Sequence, residues 1–126
     1  MPVFNIASGF GSGLSFTKLW ENSDTTQSFL ESTLSLPACA GYSGFYVLFK
    51  AATGTEAYAG ETVIEKNLSH TARVNRAGVS SKLTSHRLFT VSDTGVSFGP
   101  GYCQGAQDNA AVIPYRVYGI GGVTVT

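Results

Sequence analysis

The chain has 126 residues, with eight basic and eight acidic side chains, 13% charged residues and 43% hydrophobic ones. That length supports one domain with its own core, and the charge content lies well below the roughly 25% usual in soluble domains. Zero formal net charge removes the long-range field that nucleic-acid binders and anionic-membrane binders rely on, so neither partner is expected.

In chain order, the opening "MPVFNIASGFGSG" lacks the basic n-region and continuous apolar h-region of a Sec-type signal peptide. Residues 1–13 read as a glycine-rich strand and linker of one β-sandwich domain spanning 1–126. Synthesis in a cytoplasm, without a signal peptide, is the expectation. No apolar run approaches the roughly 20 residues that cross a bilayer as a helix, so membrane insertion is not expected. "FLESTLSL" (29–36) places Leu30, Leu34 and Leu36 on one face with Ser32, the pattern of a half-buried strand. "GFYVLFK" (44–50) is apolar on both faces and predicts a central strand covered on both sides. "YAGETVIEK" (58–66) predicts a more solvated strand near a sheet edge. "SHTARVNRAGVSSKL" (69–83) lacks a sustained helical period and reads as a long exposed loop with at most one short strand. "HRLFTVS" (86–92) and "GVSFG" (95–99) flank "SDTG", which has hairpin-turn chemistry. "VIPYRVYGI" (112–120) alternates Ile113, Tyr115 and Val117 against Arg116, Tyr118 and Ile120, and "VTVT" ends the chain in the same manner.

Glycine-rich breaks at 8–13, 52–55, 98–101 and 119–122 separate these strands at short spacing. Their recurrence predicts an all-β fold, a single-domain sandwich or jelly-roll-like arrangement of antiparallel sheets. Cys39 and Cys103 could pair or stay apart. Without a signal peptide, two free, partly buried thiols are expected.

Catalytic signatures are missing. There is no G-x-S-x-G elbow, and His70 and His86 carry no local signature of a nucleophilic triad. Cys39, His70, His86 and Cys103 lack the paired short spacings of a zinc site. Glu61 and Glu65 could share a strand face as a carboxylate pair, although a solvated face is the ordinary reading. "GFGSG" (9–13) lacks dinucleotide-loop spacing. No enzyme activity, cofactor or metal is therefore expected. What remains is surface recognition. Trp20, Tyr42, Tyr58, Tyr102 and Tyr118 combine apolar rings with polar handles, and core or rim packing is the commoner use of such residues. "GPGYCQGAQDNA" (99–110) reads as a polar contact loop, and the candidate ligand-binding set is Trp20, Tyr102, Gln104, Gln107, Asp108 and Asn109.

Three segments together carry a resemblance: "LWEN" leading into "TTQSFLESTLSL" (19–36), "HRLFTVSDTGVSFGPGY" (86–102) and "DNAAVIPYRVYGI" (108–120). They resemble the C-terminal β-domains of phage and prophage minor structural proteins, of the tail-tip or tail-fibre-like kind. The similarity spans about residues 19 to 122, and its motifs are structural rather than catalytic. It implies a virion component made in a bacterial host, assembling as a homo-oligomer with a trimer favoured. Other virion proteins and a host-surface glycan would be its partners. Such domains commonly end longer proteins, whereas this chain opens on its own Met. Within this reading Pro114 suits a strand start or edge, where no ladder N–H is needed. Arg116 and Tyr118, opposite Val117, become the candidate subunit interface. A stand-alone lectin-like carbohydrate-binding module is the alternative.

Overall fold

The computed structural model describes residues 4–6, 15–75, 84–121 and 123–125. Two antiparallel sheets pack face to face, the all-β sandwich that the strand pattern predicts. The first has four strands in the order β2 (Ser15–Glu21), β10 (Ala111–Gly121), β4 (Gly44–Ala52), β5 (Tyr58–Val63). The second runs β3 (Ser32–Ser35), β8 (Gly95–Cys103), β7 (Thr84–Ser92), β6 (His70–Asn75), with the short β9 (Ala106–Gln107) also pairing with β8. A separate ribbon joins β1 (Phe4–Ile6) to β11 (Val123–Val125). The rest of the glycine-rich N-terminal linker lies outside the described residues.

Strand β4 shows why this sequence makes a sandwich. Phe45, Val47, Phe49 and Ala51 alternate onto the inner face and are all fully or almost fully buried. They meet Phe89 and Val91 of β7 and Val96 and Phe98 of β8 in one core. Phe49 lies 5.3 Å from Phe89 and 6.0 Å from Phe98, ring centre to ring centre. Burying each such ring stabilises the fold by roughly 1.5–3 kcal/mol. The β7–β8 hairpin turns at Asp93 and Thr94, as expected, and β5 occupies the edge of its sheet.

Several expectations need correction. Strand β3 is only four residues long, and Leu30 before it is 66% exposed; Leu34 and Leu36 alone of the three leucines pack on the core. The outer face of β4 is not covered along its length as the inner face is: Tyr46 and Leu48 there are half-buried. The one short strand allowed within 69–83 is present as residues 70–75, but it is not exposed loop, because its Ala72 and Val74 belong to the core; residues 76–83 lie outside the described residues. The supposed contact loop is largely strand, with β8 turning through Gln104 and Gly105 into β9. Both turn residues have positive φ, 51° and 84°, the backbone of a tight primed hairpin turn. No disulfide joins the cysteines. Cys39 is fully buried, which raises its thiol pKa, and Cys103 is half-buried.

The two glutamates of the sequence reading do not form a solvated pair. Glu61 lies opposite Val47, on the inward-facing side of β5, and is half-buried. Burial raises its carboxyl pKa, and the charge of His70 opposes that rise. An acid with a raised folded pKa holds its proton more tightly folded than unfolded. Its stabilising contribution is therefore complete below the ordinary value of 4.5 and is lost as pH rises through the folded value. Glu61→Gln should raise the melting temperature near neutral pH and leave it unchanged in acid. Melting curves at the two pH values check this.

Candidate functional site: an aromatic face on the four-stranded sheet

The outer face of the four-stranded sheet gathers five aromatic side chains, Phe16, Tyr46, Tyr58, Tyr115 and Tyr118, around a set of charged ones. Two β-bulges shape it. Along β10, Pro114 pairs with Phe49 and Arg116 with Leu48, leaving Tyr115 as an extra residue. Along β2, Trp20 pairs with Val117 and Lys18 with Tyr118, leaving Leu19 extra. The first bulge brings Tyr115 to Arg116 and Tyr118, away from Val117. A strict alternation would have placed it inward. Ile113 is fully buried, but outside the core cluster.

Arg116 connects the face. Its guanidinium lies 4.3 Å from the Tyr115 ring centre. Nη2 donates to the Tyr115 hydroxyl at 2.8 Å and Nη1 to the Tyr118 hydroxyl at 3.3 Å. Nε sits 3.4 Å from Glu21 Oε1, close enough for charge attraction but not aligned for a hydrogen bond. Lys18 Nζ binds the same Glu21 oxygen at 2.6 Å. The lysine hydrogen bond chiefly, with the two positive charges, lowers the Glu21 pKa.

On one side of Arg116, Phe16, Tyr46 and Tyr118 form a ring cluster with centre separations of 6.3 to 6.4 Å. Gly60 on β5 leaves space for the Tyr46 phenol, since a Cβ there would fall 1.9 Å from its oxygen. On the other side, Tyr58 stacks on Tyr115 at 5.9 Å. Lys50 Nζ lies 5.6 and 5.2 Å from those two ring centres and 3.7 Å from Glu56. Tyr58 donates to Glu56 at 2.8 Å, and that bond is the first cause of its raised pKa. Arrays of tyrosine and arginine with polar edges are the composition that concentrates binding energy at protein interfaces.

Arg116 and Tyr118 thus share a face and touch each other. The candidate ligand set is not brought together in the same way. Trp20 turns inward, 6.1 Å from Phe29 and 6.2 Å from Phe98, and packs against the core. Asp108 and Asn109 are engaged in the turn after β9: Asp108 Oδ1 accepts from Ala110 N, and Asn109 Oδ1 accepts from Gly101 N. Gln104 sits at the hairpin tip. Tyr102 and Gln107 are register partners on the outer face of the other sheet, where Tyr102 also lies flat against His86 at 5.1 Å.

The sequence reading missed Phe16, Tyr46, Lys50 and Tyr115 as parts of one surface. The pairing register, which decides what lies beside what, is not written in any single strand. Among the described residues, no three His, Cys, Asp or Glu side chains come together as a metal site. No family model, curated protein or solved structure matches the chain.

Proposed function

We propose that the chain is a non-enzymatic structural β-domain of a phage or prophage virion, associated with the tail, that serves particle assembly and host-surface adhesion. The virion assignment rests on the resemblance of residues 19–122. The observation that supports an assembly role is the Arg116-centred aromatic face. It carries both signs of charge, Lys18, Lys50 and Arg116 against Glu21 and Glu56, so copies of the face can complement one another. Zero net charge removes the repulsion that would hold copies apart. The occupant that fits is another copy of this chain.

Light scattering coupled to size exclusion tests this. The wild type should elute as a closed oligomer, a trimer by the resemblance. Arg116→Ala combined with Tyr118→Ala should shift it to monomer at the same concentration, because central Tyr and Arg truncations commonly cost an interface 2 kcal/mol or more, about thirtyfold in affinity. A wild type that stays monomeric at every concentration would refute the assembly role. It would favour the stand-alone carbohydrate-binding module, a reading that the exposed rings of Phe16 and Tyr58 also fit.

A further inference from the structure

The outer face of the second sheet carries a different surface. A β-bulge interrupts the β7–β8 ladder: Arg87 pairs with Gly101 and Phe89 with Phe98, so Leu88 alone faces two residues of β8, Gly99 and Pro100. Leu88 is left standing outward, 44% exposed, beside Gly99, which has no side chain. The edge strand β3 reaches only as far as the pair Ser32 with Phe98, so it stops short of Gly99. The result is an open groove of about 520 Å³.

Hydroxyl groups run across it. Thr33 pairs with Ser97 across β3–β8, and Ser97 pairs with Thr90 across β8–β7. Three hydroxyls therefore form a row over three strands, spaced by the strand separation of about 4.8 Å. Thr33 Oγ1 and Ser97 Oγ are 3.1 Å apart and hydrogen-bonded. A hydroxyl both donates and accepts, so such a row matches a ligand that is itself polyhydroxylated. Leu88 supplies an apolar wall for the C–H face of a ring. Among the described residues that line the groove, Glu31 is the one charged side chain and none is a cation. That combination disfavours sulfated, phosphorylated or sialylated ligands, whose charge would meet a carboxylate with nothing to offset it.

We infer that this groove, built by Thr33, Leu88, Thr90, Ser97 and Gly99 with Glu31 at its wall, is a binding site for a neutral glycan. The site deepens the adhesion half of the proposed function and rests on it for its meaning. It lies on the opposite sheet from the assembly face, so the two ideas fail separately. Tyr102 and Gln107 share this outer face, further along the strands. One sheet then serves assembly and the other adhesion, and oligomerisation would multiply weak single sites into useful avidity.

The test begins with the full chain on a printed array of neutral, sialylated and sulfated oligosaccharides. The strongest neutral glycan is then titrated against wild type and variants. Thr33→Val and Ser97→Ala should each weaken binding about fivefold, the usual effect of one lost hydrogen bond. Gly99→Ala should weaken it about tenfold by raising the groove floor, an effect of the size expected for one misplaced methyl group. A Cβ at Gly99 meets its nearest atom, the Leu88 carbonyl oxygen, at an ordinary 3.5 Å, so that variant should melt as wild type does. If it does not, the two exposed hydroxyl variants carry the test alone. Arg116→Ala should leave the affinity of each site unchanged. A blank array, binding confined to acidic glycans, or neutral binding that ignores all three groove variants would overturn the inference. So would neutral binding lost through Arg116→Ala alone, which would move the site to the aromatic face.

Discussion

Arg87→Met is expected to destabilise the domain by about 4 kcal/mol, because it removes several charge-assisted hydrogen bonds and strands their buried acceptors. Arg87 is fully buried on β7, between the sheets. Its Nε donates to Val112 O at 2.7 Å, Nη1 to Gly99 O at 2.8 Å, and Nη2 to Ala111 O at 3.0 Å and Asn109 O at 3.3 Å. The guanidinium thus holds the end of β8 to the start of β10, including Val112 at a left-handed φ of 50°. Burial lowers its pKa to about 10, partly opposed by the charge of Asp108. It remains a cation at neutral pH, and the four carbonyls solvate it. Gly101 makes the arrangement sterically possible, since a Cβ there would lie 2.8 Å from Nη2.

Methionine keeps much of the volume and loses every donor, so the carbonyls must find water or stay unsatisfied. For a domain of this size the loss corresponds to a fall in melting temperature of more than about 10 °C. Arg87→Lys should recover less than half of it, because one ammonium cannot reach carbonyls spread around a planar fork. Thermal melts by circular dichroism, at matched concentration, give the comparison. A Met variant within about 1 kcal/mol of wild type would show that this network adds little beyond packing.

A continuous apolar run was enough to locate β4, and alternation between turn residues was enough for the edge strand β5 and the β7–β8 hairpin. Arg87 was legible by the same rule: it falls two residues before Phe89 and four before Val91, on the inward face. The sequence analysis nevertheless gave Arg87 no role, because the carbonyls that hold it come from β8, β10 and the turn before β10. Strand β2 was harder to see. Its apolar Phe16 faces outward and its bulge at Leu19 breaks the alternation before Trp20, so no single face of "SFTKLWE" reads as buried. Tyr115 was grouped with Ile113 and Val117 for the same reason, since a bulge shifts parity and leaves no mark in composition. The aromatic face and the hydroxyl row depend on which strands become neighbours. That is a property of topology, and β3 and β8, whose hydroxyls meet, lie more than 60 residues apart in the chain. Trp20 and the loop at 99–110 were chosen for their chemistry, yet packing and turn geometry had already claimed most of them.

Gly95→Ala should be the most damaging of the small substitutions, at about 3 kcal/mol, from backbone strain and overpacking together. Gly95 opens β8 after the hairpin turn, at a φ of 153°, and is fully enclosed. Two costs fall on the same atom. L-residues rarely adopt that backbone conformation. In addition, a Cβ would sit 1.8 Å from the Leu34 carbonyl oxygen and 2.9 Å from Leu36 N, both main-chain atoms that cannot rotate away. Relief requires β3 to separate from β8 at the Ser35–Gly95 pair, where Leu36 N also donates to Thr94 O at 2.8 Å. The strain should therefore not be confined to the turn. It should loosen the short strand that carries Thr33, so the glycan affinity proposed for the groove would fall along with stability. Hydrogen exchange separates this from general unfolding. Amides of Ser32–Ser35 should lose protection first, while those of β4 and β10 remain protected until global opening. Equal loss in every strand would place the damage in the core hairpin and leave β3 without a special role.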